Sequence, residues 1–184
     1  ASTAETGERI LRAVLDLHLE RFHDQITLED VADRAGVTVQ TVLRRFGSKD
    51  ALVAAAAEHA RADVRNQRFA APVGDIPAAV ENLLDHYEAT GTTALRLLAQ
   101  EDRVPQLKEI ADRGREVHYE WVEHAFAPLL DRRNGRSRLR AQLIAITDVY
   151  TWKLLHHDLG LDRAETERAL IEMIESVADR ESTQ

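Results

Sequence analysis

Residues 27–52 read Thr-Leu-Glu-Asp-Val-Ala-Asp-Arg-Ala-Gly-Val-Thr-Val-Gln-Thr-Val-Leu-Arg-Arg-Phe-Gly-Ser-Lys-Asp-Ala-Leu. Thr27 is a good N-cap, and Asp30 three residues on completes a capping-box-like pair. Leu28, Val31, Ala32 and Ala35 then fall on one face at helical spacing. Gly36 permits the left-handed backbone that ends a helix, and Thr38 caps the next one. In that second helix Val42 and Phe46 face inward, leaving Val39, Gln40, Thr41, Arg44 and Arg45 outside. Gly47 stops it, and Ser48 caps a third segment at Lys49. Two short helices about a glycine turn, the second small enough for a DNA major groove, predict a helix-turn-helix.

Either side of this stretch the pattern stays helical. A helix is expected over about 8–22, with Ile10, Val14 and Leu17 on one face, and another over about 49–65, where four successive alanines favour helix. Alternating β-branched runs are nearly absent, so the chain reads as all-α with about nine helices. The clearest composition shift is 70–77, which carries both Pro72 and Pro77. It divides a DNA-binding domain, 1–65, from a C-terminal helical domain for ligand and dimerisation, 66–184. Beyond it, Pro77 opens a helix to about Ala89. Thr90-Gly91-Thr92 should break that helix, and a short one continues to Gln100. Pro105 opens a long helix reaching Pro128, and 131–137 is a turn. Helices over 137–159 and 162–179 close the chain, with Asp162 and Glu165 as a capping pair.

Those last two helices carry apolar residues on more than one stripe, so each needs cover on more than one side. One stripe suits the subunit's own core and the other a second copy of the chain. A homodimer through a four-helix contact fits; a monomeric core using both stripes is the plainer alternative.

Composition bounds the function. The chain has 184 residues, a hydrophobic fraction of 44% and no cysteine, which excludes disulfides and thiol chemistry. No apolar run approaches a membrane span and no basic-then-apolar leader is visible, so a cytoplasmic protein without membrane contact is expected. The net charge of −8 argues at first against nucleic acid, but distribution outweighs the sum. Between Gly36 and Lys49 the charged residues are Arg44, Arg45 and Lys49, all basic.

The motif resembles the N-terminal domain of the tetracycline-repressor (TetR) family of transcriptional regulators. The matching residues are Ile10, Ala13 and Leu17, then Thr27, Val31-Ala32, Ala35-Gly36-Val37-Thr38, Thr41-Val42, Phe46, Ser48-Lys49 and Leu52. Leu43 departs from the pattern where an aromatic, usually Tyr, is common. That removes one expected phosphate contact, which Arg45, where His or Tyr is common, can replace. Phe22 stands where a turn glycine is usual. The resemblance implies a dimeric regulator, most often a repressor, whose larger domain holds a small-molecule effector that releases DNA.

At the DNA, Gln40 can pair bidentately with an adenine edge, and Val39 or the Thr41 methyl can touch a thymine methyl. Arg44 suits either a guanine edge or a phosphate. Thr27, Thr38, Arg45 and Lys49 suit backbone phosphates, although both threonines are helix caps in any case. Two heads on a two-fold dimer would read a pseudo-palindrome in double-stranded DNA.

For the effector pocket the candidate lining residues are His86, Tyr87, Arg96, His118, Tyr119, Trp121, Asp148 and Trp152, with Tyr119 and Trp152 the preferred pair. Asp148 lies among apolar neighbours and needs a partner, either an Arg or His of the fold or a cationic ligand. No cofactor is expected. The histidines lack metal-ligand spacing, and His156-His157 reads as charge complementing a helix end. The arginines 132, 133, 136, 138 and 140 read as a solvated loop, with a second nucleic-acid contact as the alternative. Two rival functions stay open: a TetR-like protein that acts through protein partners instead of DNA, and a helical small-molecule enzyme, for which no nucleophile elbow, phosphate loop or carboxylate pair is present.

Overall fold

Side-chain caps set the first helices. The computed structural model describes residues 2–131 and 136–180, which hold ten α-helices. Helix α1 (Thr3–Glu20) starts earlier than its apolar spacing suggests, because Ser2 and Glu5 form a full capping box. It ends before Phe22: Arg21 is extended, and His23–Gln25 forms a single 3-10 turn in which the Gln25 side chain accepts the Phe22 N–H at 3.2 Å. That turn does the work expected of a glycine.

Helix α2 (Leu28–Ala35) is capped by Thr27 and Asp30 in reciprocal bonds, and Gly36 leaves it with φ +63°. Helix α3 (Val39–Phe46) starts at Thr38, whose hydroxyl accepts the Thr41 N–H at 3.2 Å. Caps of this kind are each worth about 1 kcal/mol. Helix α4 (Lys49–Arg68) runs a turn further than composition implied.

The described residues form two compact units. One takes those up to Asp63 together with Arg96–Asp112; the other takes Val64–Leu95 and those from Arg113 onward. The first unit closes on Ile10, Leu17, Ile26, Val31, Val42 and Leu52, all fully buried, with Ile110 packed against them. The second unit contains most of α5 (Ile76–Leu98) and α6 (Pro105–Ala125), then α7 (Ala127–Leu130), α8 (Arg136–Ile146), α9 (Val149–Trp152) and α10 (Arg163–Arg180). Its core holds Leu83, Leu84, Trp121, Phe126, Leu139, Leu143 and Ile174.

Two helix boundaries differ from expectation. Thr90-Gly91-Thr92 is no break, since α5 runs through it. Gly91 is there because Trp152 lies against it: a Cβ would come within 2.5 Å of the indole. The expected helix over 137–159 is instead interrupted at Thr147-Asp148 and continues as α9 and a π-helical turn, Lys153–Asp158. Asp148 causes the restart, its carboxylate accepting the Tyr150 N–H at 2.8 Å as an N-cap. The turn over 131–137 falls mostly on 132–135, outside the described residues.

Candidate functional site

On α3, Val42 is fully buried and anchors the helix to the first unit's core, while Gln40 and Arg44 are exposed. Among the described residues neither side chain has a hydrogen-bond partner. Thr41 is half-buried and exchanges a 3.0 Å hydroxyl contact with Thr38; Val39 packs against the core and is partly covered. The Arg45 guanidinium lies over α1, in the space that Gly7 leaves without a side chain, and 5.9 Å from the Phe46 ring centre. Leu43 and Phe22 are both exposed.

Helix α3 itself carries two basic residues, Arg44 and Arg45, and no acidic one. Two acids of α1 and α2 are tied off: Arg34 grips Glu20 with two bonds of 3.0 and 2.9 Å, and Arg21 holds Asp30 at 3.0 Å. Hydrogen bonds from Thr27, and then Arg21, hold the Asp30 carboxyl below its ordinary value, so it stays charged and keeps the cap. Thr27 is exposed at that cap.

Lys49 is less free than its sequence position suggested. Its ammonium donates to the carbonyl of His23 at 2.7 Å, and burial lowers its pKa. Behind it lies a pair the sequence did not reveal: His18 Nε2 and His23 Nδ1 are 3.3 Å apart, and His18 Nδ1 meets the Val14 carbonyl at 2.7 Å. Burial, and in each case also the charge of Lys49, pushes both imidazoles down and keeps them neutral.

In the second unit five of the eight pocket candidates gather into one buried set. Tyr87 donates its hydroxyl to the Thr147 carbonyl at 2.8 Å, serving an acceptor freed by the helix interruption. Its ring lies 5.5 Å from both His86 and Trp152, and His118 stacks on Trp121 at 5.9 Å. Burial lowers the His86 pKa to about 3 and the His118 pKa to about 4, with Arg68 adding to both shifts.

The other three stand apart from that set. Tyr119 is exposed, with Arg140 over its ring at 5.5 Å. Tyr119 and Trp152 are therefore not the facing pair expected, because residue 119 lies on the outer side of a helix whose 118 and 121 face in. Arg96 belongs to the first unit, and Asp148 spends its carboxylate on the cap.

Arg68 joins the set without having been foreseen. It is 3% exposed, its guanidinium lies 4.2 Å over Trp121 and 5.9 Å from the Tyr87 ring, and one Nη contacts His118 Nδ1 at 3.2 Å. Nothing local marks an arginine at a helix end as buried, since that is also where a solvated one complements the dipole.

On α8 and α10, Leu139, Leu143, Leu170 and Ile174 are buried, whereas Ala145, Ile146, Ala169, Met173 and Val177 line an open groove of about 600 Å³. His156 and His157 fall in the last turn of the π-helical segment, and both pack on Trp152, at 5.7 and 4.8 Å. Arg136 and Arg140 stand on α8 and not in the expected loop, and both pair with Glu123; Arg132 and Arg133 lie outside the described residues.

Residues 10–56 match the family described as bacterial regulatory proteins, tetR family. That stretch is similar to the DNA-binding domain of the TetR family. Solved structures carry the likeness through the second unit. A transcriptional regulator from Rhodococcus sp. Rha1 is 22% identical, with 95% of this chain and 96% of that one covered and a TM-score of 0.74. A tetR-family transcriptional regulator from Streptomyces coelicolor is 19% identical over 100% and 90%, with a TM-score of 0.73. A TetR transcription regulator from Haloarcula marismortui is 15% identical over 97% and 98%, with a TM-score of 0.67. At these identities the likeness shows the fold. Curated proteins gave no match. Among the described residues no helix is long and apolar enough to cross a membrane.

Proposed function

We propose that this TetR-family chain is a dimeric repressor of transcription, released from a pseudo-palindromic operator by a small-molecule effector. The observation that carries the reading is α3 itself: Val42 ties it down from beneath while Gln40 and Arg44 project outward without partners. Gln40 reads an adenine edge, Arg44 a guanine edge or a phosphate, and Val39 and Thr41 contribute methyl contacts. Thr27, Thr38, Arg45 and Lys49 position the backbone. Lys49 keeps two ammonium donors for a phosphate after serving His23.

The dimer forms through α8 and α10. Their groove is lined mainly by partly exposed apolar side chains, which a second copy would cover. Two heads would then meet successive major grooves about one helical turn apart.

Selection from random double-stranded DNA, followed by gel-shift titration of the winning sequences, tests this. A repressor of this kind selects a sequence with two-fold symmetry and binds it as two chains. Enrichment of no sequence over random DNA would leave the TetR-like fold with a role through protein partners.

A further inference from the structure

Arg68 poses a problem that the rest of the second unit does not solve. It is a buried guanidinium, and no carboxylate among the described residues lies within ion-pair distance of it. Its Nε has no hydrogen-bond partner, and neither has Nε1 of Trp121, directly beneath it. Its polar neighbours are neutral: His86 and His118 are held deprotonated, and burial keeps the Tyr87 phenol from ionising. A cation–π contact returns only part of what burying a lone cation costs. The inventory is thus one positive charge, met by His118 and Tyr87 but by no anion, and two unused N–H donors beside the rings of Trp121 and Tyr87.

We infer that the second unit holds a binding site for a small monocarboxylate with an apolar body, its carboxylate pairing with Arg68. One uncompensated cation calls for one negative charge, and two donors call for two acceptor oxygens. A carboxylate supplies both, whereas a phosphate dianion would find too little positive charge. The Trp121 and Tyr87 rings beside the guanidinium suit an apolar remainder. Arg68 is the last residue of α4, the helix that follows the recognition helix, so the inference deepens the effector reading above and rests on it.

Titration calorimetry and thermal melting of the full chain with benzoate and octanoate, beside benzamide and octanamide, test the charge preference. Each acid should bind about tenfold tighter than its amide or more, as a charge-assisted contact requires. Arg68→Met should erase that difference. Without added acid, the same variant should melt above the parent, because a lone buried charge has been replaced by an apolar chain of similar length. Acids that bind no better than their amides overturn the proposal, and so does an Arg68→Met chain that melts below the parent, which would make the guanidinium a structural element. These readouts need no DNA. An acid that binds through Arg68 but leaves the DNA complex intact upholds the site while contradicting effector release.

Discussion

Gln40 and Lys49 lie at either end of the same head yet should fail differently when truncated. Gln40→Ala removes a side chain that supports nothing in the fold, so binding should lose preference at one base pair, at a cost of about 1–3 kcal/mol, with stability unchanged. Gel shifts against single-base variants of the selected site check this; equal loss on every variant would contradict base reading. Lys49→Ala removes the proposed phosphate partner and also the donor to the His23 carbonyl. It should weaken all sequences alike, lower the salt slope by about one ion, and reduce the melting temperature. An unchanged melting temperature would mean the His23 contact is dispensable. The threonine caps and Gly36 were legible because each of those roles is local, decided within a turn of the residue itself. Lys49 and Arg68 were not, since the atoms that engage them come from distant parts of the chain.

At the scale of the element, two helical glycines make opposite predictions. Replacing a helix-interior glycine by alanine normally gains about 1 kcal/mol of backbone entropy and propensity. At Gly114 in α6 a Cβ meets nothing within 4 Å, so Gly114→Ala should stabilise by about that amount. At Gly91 in α5 the Cβ would press into Trp152, and overpacking costs about 1–3 kcal/mol, which outweighs the gain. Gly91→Ala should therefore lower the melting temperature, and a rise would show that the indole yields freely. The same contact explains why Thr90-Gly91-Thr92 misled. A glycine between two β-branched residues reads as a break unless the ring lying on it is known. Asp148 is the mirror case: in an apolar run it suggested a buried charge seeking a cation, but a capping role needs only the next turn's N–H.

For the molecule as a whole, the buried histidines give a pH signature. In the unfolded chain a histidine takes its proton near pH 6.5, whereas folded His118 and His86 wait until about pH 4 and about pH 3. Between those limits the unfolded state binds more protons, so stability should be full above pH 6.5 and fall as pH drops towards 4. Melting curves of the parent and His118→Gln over this range check it: the variant should lose less on acidification, and an equal loss would place the sensitivity elsewhere. The helical class and the head were readable from the sequence because caps, stops and stripes agreed there. The second unit was readable only as helices, since its stripes did not say which residues meet.

The central claim is that α3 is displayed in duplicate to one face of a duplex. Footprinting of the full chain on its selected DNA, with stoichiometry read by sedimentation of the complex, tests this most directly. Two chains should protect two half-sites whose centres lie about one helical turn apart, and Gln40→Ala should relax the same base pair in each. A single chain on the DNA, or protection without two-fold symmetry, would contradict it.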